Sequence, residues 1–332
     1  MTVLVTGGAG YIGGHMVLGL LDAGEEPIVI DDMSNGVRWA IPEGVPFVLG
    51  DSGDYETVAQ VVEKHKVDAV IHFAARLITP QFYDEPLEYY QANTVKSCAL
   101  LSVIQNSGIK HFIFSSTAAV YGNPPINPVP ESAPLAPISP YGRSKLMTEM
   151  MLRDVASYRG LKFVALRYFN VAGADPGGRY GQSSTKTTLL VQIAAQVALG
   201  IRPYIEIYGN DYPTADGTCV RDYIHVTDLI EAHLMALRHL RIGGNNLVVN
   251  CGYGRGYSVK QVLDETERVS GRRFDRRIGP RRRGDAVEVV AEANLIRAEL
   301  GWRPRYDDLA TIVEHALRWE ERLQKSEHIK KP

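Results

Sequence analysis

Cysteine is scarce in this sequence of 332 residues: Cys98, Cys219 and Cys251 are far apart along the chain. Three cysteines cannot form an even set of disulfides, and their positions show none of the close spacings typical of metal ligands. The scarcity excludes a small disulfide-bonded scaffold and predicts no metal centre. A reducing compartment such as the cytoplasm is the simplest setting for these thiols.

Long apolar runs and an excess of charge of either sign are also missing. No apolar run reaches the ~18 residues that indicate a membrane-spanning helix. The opening residues MTVLVTGGAG lack the basic stretch and apolar segment typical of a signal peptide. The formal net charge is −2, so no overall positive charge favours nucleic acid or an anionic membrane. We expect a cytoplasmic protein without nucleic-acid or membrane partners.

The composition is that of an ordinary globular protein, with 45% hydrophobic and 22% charged residues. At roughly 150 residues per domain, the length predicts about two domains. Up to about residue 170, short apolar runs alternate with longer helical patterns, which is typical of βαβ units and a parallel sheet. The predicted strands are Thr2–Thr6, Pro27–Asp31, Pro46–Leu49, Ala69–Phe73, His111–Ser115 and Phe163–Arg167. The predicted helices between them are His15–Ala23, Tyr55–His65, Tyr89–Ser107 and Tyr141–Ser157.

Near-continuous apolar strands predict a sheet covered by helices on both faces. The fold class is therefore α/β, a Rossmann-like doubly wound parallel sheet, followed by a smaller mixed α/β C-terminal domain. We assign residues 1–170 to the first domain and 171–332 to the second, with helical patterns at Thr188–Leu199, Val259–Ser270 and Leu309–Glu320. The strand-like segments Tyr223–Val226 and Leu247–Asn250 are expected to return to the first sheet, so that residues 221–230 and 247–251 rejoin the first domain.

A glycine-rich turn follows the first predicted strand, in the sequence GGAGYIG at 7–13, and a helical pattern comes directly after it. Glycines at positions 7, 10 and 13 suit a tight turn, a close approach of the backbone to a pyrophosphate, and close packing of helix on strand. The positive N-terminus of the helix favours the phosphates. Any tight strand-to-helix turn can use glycine, which is the structural alternative.

Two acidic residues, Asp31 and Asp32, end the second predicted strand. This is about the place where a carboxylate accepts a hydrogen bond from the adenosine ribose of a dinucleotide, and its charge repels a 2′-phosphate. The glycine turn and the two aspartates together predict a bound NAD rather than NADP.

The segment SPYGRSK at 139–145 predicts a helix start that presents Tyr141 and Lys145 on one face, one turn apart. Ser139 is a good N-cap and Pro140 a good first helical residue. A phenol has a pKa of ~10, and we expect the ammonium, the helix N-terminus and the positive nicotinamide to lower it. Tyr141 is then a base that removes a proton from a substrate hydroxyl. An exposed tyrosine and lysine on a surface helix are the alternative.

A run of hydroxyls ends the fifth predicted strand, in SSTAAVYG at 115–122. The carboxyl end of a strand in a parallel sheet faces the ligand crevice. We choose Thr117 as the hydroxyl that orients the reacting group and shares its proton with Tyr141. A turn hydroxyl that bonds the nearby backbone is the alternative.

These motifs, with ALRYFNVAGAD at 165–175 and GNDYPTADGTCVRDYIHVTDL at 209–229, resemble the extended short-chain dehydrogenase/reductase family, and within it the UDP-sugar 4-epimerases of galactose metabolism. The likeness runs nearly from end to end. It implies a permanently held NAD that is contacted by Gly7, Gly10, Tyr11, Ile12, Gly13, Asp31, Asp32, Asn35, Asp51, Ser52, Phe73, Ala74, Asn93, Ser115, Tyr141, Lys145 and Phe169.

The resemblance also implies a UDP-sugar bound between the domains. Arginines suit its diphosphate because they form paired, charge-assisted hydrogen bonds. The implied reaction interconverts UDP-glucose and UDP-galactose by oxidation at C4, rotation of the 4-keto sugar and return of hydride to the other face. The implied substrate contacts are Thr117, Tyr141, Asn170, Thr188, Tyr208, Arg221, Arg282, Asp285 and Val289.

Three positions depart from the family pattern. Leu77 replaces a lysine that contacts the cofactor in many relatives, and Thr188 stands where an asparagine usually contacts the uridylyl group. Val289 replaces a bulky tyrosine that some relatives have at the edge of the sugar pocket. We hypothesise that this smaller side chain leaves room for an N-acetyl group.

Several alternatives remain beside this activity. A 4,6-dehydratase needs an acid/base pair after the active-site threonine, and Ala118 and Ala119 cannot transfer protons. Epimerisation of another UDP-sugar, such as an N-acetylhexosamine, a pentose or a uronate, keeps every motif. An idle NAD-binding sensor is a different class, although such proteins often lose the tyrosine and lysine. The helices Tyr89–Ser107 and Tyr141–Ser157 correspond to those that pair in family homodimers, so a homodimer is expected.

Overall fold

The computed structural model describes residues 1–76, 85–184 and 187–326. Its strands are β1 (Thr2–Thr6), β2 (Glu26–Asp31), β3 (Phe47–Leu49), β4 (Ala69–His72), β5 (His111–Thr117), β6 (Lys162–Tyr168), β7 (Asn170–Ala172), β8 (Ile205–Tyr208), β9 (Val220–His225), β10 (Leu247–Cys251), β11 (Gly256–Ser258), β12 (Arg276–Gly279) and β13 (Glu288–Val289).

The helices are α1 (Tyr11–Asp22), α2 (Tyr55–His65), α3 (Pro86–Tyr89), α4 (Lys96–Ser107), α5 (Pro140–Arg159), α6 (Leu190–Ala198), α7 (Val226–Arg241), α8 (Val259–Ser270), α9 (Asn294–Leu300) and α10 (Leu309–Lys325). A π-helical turn, Tyr90–Val95, joins α3 to α4. The prediction of one regular helix over Tyr89–Ser107 missed this π-helical turn, because a single wider turn hardly changes the spacing of apolar residues along the sequence. Helix α1 begins four residues earlier than predicted, since the glycine turn leads directly into it.

A seven-stranded parallel sheet has the order β10-β6-β5-β4-β1-β2-β3. Successive side chains of a strand point to opposite faces. In β1, Val3 and Val5 pack in one apolar cluster with α1 and α7. Leu4 packs on the other face in a second cluster with α2, α4 and α5. Helices thus cover both faces, and the predicted doubly wound α/β sheet is confirmed.

A smaller mixed sheet surrounds β9, which pairs parallel with β7 and β13 and antiparallel with β11. The expectation that Tyr223–Val226 returns to the first sheet is therefore wrong, because β9 finds its partners among the short strands of the second half. Strand β10 does join the first sheet, where it pairs with β6. The assignment of residues 1–170 and 171–332 to two domains stays a prediction. Within the described ranges, no helix is both long and apolar enough to cross a membrane.

Candidate active site

The carboxyl edge of the seven-stranded sheet gathers most of the residues selected from the sequence. Because the strands are parallel, the residues that follow each strand lie at the same edge. Strand β1 leads into Gly7, β2 ends at Asp31, and β5 ends at Thr117. Phe73 and Ala74 follow β4, and Phe169 follows β6.

The glycine turn is packed too tightly for side chains at two of its three positions. Gly7 has φ +69°, and a Cβ there would lie 2.7 Å from the backbone nitrogen of Ala74. A Cβ on Gly13 would lie 2.1 Å from the carbonyl oxygen of Gly7. Gly10 differs: its φ is an ordinary −79° and its nearest contact would be 3.3 Å. Packing therefore explains Gly7 and Gly13, whereas Gly10 is better explained by the close approach of a ligand.

Helix α1 begins at this turn without a side-chain N-cap. The N–H groups of its first turn, which includes Tyr11 and Ile12, have no intrahelical acceptor. An open helix N-terminus is suited to a pyrophosphate. The turn and the helix start therefore fit the phosphates of a dinucleotide.

Asp31 lies beside the glycine turn. Its carboxylate accepts hydrogen bonds from the backbone N–H groups of Ala9 at 2.9 Å and Met33 at 2.8 Å. Burial raises the pKa of Asp31, and the neighbouring Asp32 raises it further. Asp32 accepts from the backbone N–H of Ser34 at 2.9 Å. This carboxylate pair fits the adenosine ribose of NAD.

The remaining predicted cofactor residues stand at the same end of the sheet, in hydrogen-bonded loops. Asn35 accepts from the hydroxyl of Ser184 at 2.7 Å. Asp51 pairs with Lys96 at 2.6 Å, and Ser52 beside it is buried. Leu77 lies outside the described residues.

Asn93 lies in the π-helical turn and connects two parts of the site. Its side chain accepts from the backbone N–H of Arg76 at 2.7 Å and donates to the hydroxyl of Ser144 at 3.0 Å. Arg76 follows the Phe73–Ala74 segment, and Ser144 lies on α5. Asn93 therefore joins the segment after β4 to the helix that carries Tyr141.

Helix α5 starts as the sequence predicts. The side chain of Ser139 accepts from the backbone N–H of Gly142 at 3.1 Å, and Pro140 occupies the first turn. Lys145 is buried and its ammonium donates to the carbonyl oxygen of Ser115 at 2.9 Å. The alternative of an exposed tyrosine and lysine is excluded for this pair, because both side chains face the end of β5.

Burial dominates the ionisation of Tyr141 and Lys145. It raises the pKa of Tyr141 to about 12, although hydrogen bonding with Thr117 lowers it in part. It lowers the pKa of Lys145 to about 7. The expected lowering of the Tyr141 pKa by Lys145 and the helix N-terminus is therefore wrong for these groups alone: desolvation disfavours both charges and outweighs their attraction.

The three hydroxyls at the end of β5 have different partners. Ser115 hydrogen-bonds the phenol of Tyr168, and Ser116 donates to the carboxylate of Glu149 at 2.5 Å. Thr117 interacts with Tyr141 and also accepts from the backbone N–H of Ala119 at 3.1 Å. Thr117 thus has the backbone contact of a turn hydroxyl and is also the one of the three that reaches Tyr141.

A second group of predicted residues gathers around β9, β13 and the loop before β13. Arg282 makes two 3.0 Å hydrogen bonds to Asp285, and its guanidinium lies 5.3 Å from the ring centre of Tyr208. Arg221 donates at 2.7 Å to the carbonyl oxygen of Ala286. Each of these arginines is therefore oriented by a neighbour before any ligand contact.

The other predicted substrate residues lie around this group. Asn170 begins β7 and pairs with Tyr223 of β9. Val289 pairs with Arg221 and is buried in an apolar cluster with Ala118, Tyr121 and Phe169. Ala118 directly follows β5, so Val289 shares a buried cluster with a residue at the end of that strand, and its assignment to the sugar pocket stays a prediction. Thr188 is exposed two residues before α6, and among the described residues no hydrogen bond or ion pair joins it to the other predicted substrate residues.

The sequence of this chain matches a known protein family. A model described as the NAD dependent epimerase/dehydratase family matches residues 3–252. The chain belongs to this family. The resemblance found in the sequence is thereby confirmed, and the NAD dependence of the family agrees with the fit of the glycine turn and Asp31.

Three similar proteins are named by their activity or by the ligands they bind. The UDP-glucose 4-epimerase of Azospirillum brasilense is 53% identical over 324 residues, which cover 98% of this chain and 93% of that protein. The structure of the UDP-glucose 4-epimerase of Bifidobacterium longum in complex with NAD+ and UDP is 36% identical, with a TM-score of 0.92 over 97% of this chain and 98% of that chain. The UDP-Glc/GlcNAc 4-epimerase of Campylobacter jejuni is 43% identical, with a TM-score of 0.82 over 97% and 99%.

Sequence reasoning missed a buried ion pair behind the candidate site, formed by Glu149 and Arg167. Glu149 comes one turn after Lys145, on the face of α5 that is buried. Arg167 is a charged residue within the otherwise apolar β6. The sequence contains one signal from which this pair could have been predicted: a charged residue on the buried face of α5 and another within the buried strand β6.

Proposed function

We propose that the protein is a UDP-glucose 4-epimerase, an NAD-dependent isomerase that interconverts UDP-glucose and UDP-galactose in nucleotide-sugar metabolism. The observation that carries the proposal is the meeting of Tyr141, Thr117 and Lys145 at the sheet edge that also holds the glycine turn. The 53% identity to the A. brasilense epimerase supports it over 98% of the chain.

NAD would be held at its phosphates by the glycine turn and the open N-terminus of α1, and at its adenosine ribose by Asp31 and Asp32. Lys145, which donates to the carbonyl oxygen of Ser115, would contact the nicotinamide ribose. When bound, NAD supplies removal of hydride from C4 and its return, together with a positive nicotinamide that favours the phenolate of Tyr141.

Tyr141 takes the proton of the C4 hydroxyl and later gives it back. Thr117 interacts with Tyr141 and orients the same hydroxyl. Because the pKa of Tyr141 is raised to about 12, mainly by burial, positive charge within the filled site must stabilise the phenolate. Lys145, with a pKa lowered to about 7 by the same burial, supplies part of that charge once an anionic phenolate forms beside it.

The UDP group is held while the hexose turns. Arg282 and Arg221 offer guanidinium groups to the diphosphate, and Tyr208, which is 42% exposed, offers a ring near Arg282. We place the sugar beside the small apolar residues Ala118 and Val289, which belong to one buried cluster and form no directional bonds with a hexose. Firm contacts to UDP and weak contacts to the sugar permit the rotation that inversion at C4 requires.

A turnover assay tests this function. We expect purified protein to convert UDP-galactose to UDP-glucose, and Tyr141→Phe to reduce kcat by about 10²- to 10⁴-fold, the usual contribution of a general base. An idle NAD-binding sensor would convert none of UDP-glucose, UDP-galactose, UDP-xylose or UDP-glucuronate. Full activity in Tyr141→Phe would contradict the role of the phenol as base.

A broader substrate range is a second candidate function, favoured by the side chain at position 289. Val289 is buried in an apolar cluster with Tyr121 and Phe169, and it is much smaller than the tyrosine that some relatives have at this position. The related C. jejuni protein is a UDP-Glc/GlcNAc 4-epimerase. We propose that UDP-N-acetylglucosamine is a substrate, and a lack of turnover with this sugar would contradict the idea.

A homodimer through α4 and α5 is part of the same proposal. Tyr158, Met150 and Met147 form an exposed stripe on α5, and Val95 is exposed just before α4. Apolar side chains that are grouped on neighbouring helices are typical of a subunit interface. Light scattering should give about twice the chain mass of 36.7 kDa. The cytoplasmic location stays a prediction, to be checked by cell fractionation.

A further inference from the structure

A fully buried ion pair joins the helix of Tyr141 to the sheet. Glu149 on α5 and Arg167 on β6 have side chains that are 0% and 1% exposed. Arg167 makes a two-pronged contact, donating from Nε at 2.9 Å and from Nη2 at 2.6 Å to the two oxygens of Glu149. Such paired hydrogen bonds fix the relative orientation of both groups.

The same pair holds the end of strand β5. Glu149 also accepts from the hydroxyl of Ser116 at 2.5 Å, and Ser116 directly precedes Thr117. Glu149 lies two helical turns after Tyr141 on the same side of α5. One carboxylate therefore connects the element that carries Tyr141 with the residue next to Thr117.

The network continues toward the substrate side of the site. Arg167 donates to the phenol oxygen of Tyr121 at 2.9 Å, and Tyr121 donates to the side chain of Asn250 at 2.7 Å. Asn250 in turn donates to the carbonyl oxygens of Val129 at 2.8 Å and Glu292 at 3.2 Å. These two carbonyls belong to the paired segments that lead to Val289.

We propose that Glu149 and Arg167 are positioning residues. They keep Tyr141 and Thr117 at a fixed distance from each other and hold both in place relative to the segment that leads to Val289. The inference rests on the proposed function. Both groups lie behind the reacting atoms and act through α5 and β5. A buried ion pair gives little net stability relative to apolar residues of similar volume. Its value here is geometric, since a displacement of ~1 Å at a reacting group can reduce a rate about 10²-fold.

The test replaces the whole pair, because removal of one partner leaves an unpaired buried charge that can unfold the protein. We expect the double variant Glu149→Leu/Arg167→Met to stay folded, with kcat for UDP-galactose about 10²-fold lower and KM changed less than about 3-fold. The single variant Arg167→Lys keeps the charge and loses the two-pronged geometry, so its kcat should fall by an intermediate factor.

A matched control is Arg241→Met, which removes another ion cluster between a helix and the same sheet. Arg241 contacts Glu25 at 2.6 Å and Asp68 at 3.0 Å, at the amino edge of the sheet. Its kcat should stay within about 2-fold of the parent value. If the folded double variant keeps the parent kcat, or if the control loses activity equally, the positioning role is wrong.

Hydrogen–deuterium exchange gives a measurement that does not depend on turnover. In the double variant, exchange should rise in residues 115–121 and 139–148 and stay unchanged in α7. Unchanged exchange at 115–121 would overturn the inference. A parent protein without turnover of any UDP-sugar would instead overturn the proposed function, while the exchange pattern still decides whether the pair positions these segments.

Discussion

The glycine turn offers a sharp test, because its positions 10 and 13 differ in what surrounds them. In Gly13→Ala the new Cβ would lie 2.1 Å from the carbonyl oxygen of Gly7. Relief of this contact requires α1 to move away from β1 by about 1 Å, which opens the turn. Overpacking of this kind costs about 1–3 kcal/mol. For a chain of this length, 2 kcal/mol corresponds to roughly 3 °C in Tm.

Gly10→Ala is the matched variant. Its Cβ would meet the same oxygen at 3.3 Å, with an ordinary backbone conformation, so the fold should lose less than about 1 kcal/mol. We expect both variants to lose bound NAD, because Gly10 stands where the phosphates approach and Gly13 holds the helix in place. Only Gly13→Ala should also lose stability.

The assay measures Tm by calorimetry and the NAD released from denatured protein per chain. Tm is compared between NAD-free proteins, since bound NAD itself raises Tm and its loss would lower the Tm of both variants. A Gly13→Ala variant with parental Tm and parental NAD content would refute the packing argument. A Gly10→Ala variant that keeps all of its NAD would refute the assignment of Gly10 to ligand approach.

Two further predictions concern specificity and acid stability. Val289→Tyr should reduce turnover of UDP-N-acetylglucosamine at least about 10-fold and turnover of UDP-glucose much less, because a ring too large for the buried cluster around Val289 extends toward the sugar. Equal loss for both sugars would refute the pocket assignment. Stability should fall as the pH drops below ~6.5, the ordinary pKa of histidine, because burial lowers the pKa of four histidines to about 3 or 4 and the unfolded chain then binds more protons. These are His15, His72, His225 and His233. Asp222, with a pKa raised to about 6, acts in the opposite direction, so near pH 5 the unfolded chain binds about three protons more than the folded chain, and stability should fall on the order of 4 kcal/mol per pH unit. Urea midpoints at pH 7, 6 and 5 measure this slope, and a constant midpoint would refute it.

Much of the fold could be predicted from the sequence because its signals are local. The six strands of the first half and the turn at GGAGYIG are set by apolar runs and glycine spacing, and the start of α5 is set by Ser139 and Pro140. The destination of β9 could not be predicted. The sequence of a short apolar strand does not specify which strand it pairs with. The partners of β9 are the strands that the folded chain places beside it, namely β7, β11 and β13.

The properties of the candidate site can also be divided into those that the sequence determines and those that depend on tertiary structure. The sequence by itself determined which chemistry-bearing residues occur: a phenol and an amine one turn apart, a hydroxyl at a strand end, and a carboxylate beside a glycine turn. Tertiary structure decided their state, because burial is a property of the packed chain. Desolvation raises the pKa of Tyr141 and lowers that of Lys145. Only the folded chain could bring Glu149 and Arg167 together, since two charges 18 residues apart form a buried pair when a helix and a strand pack face to face.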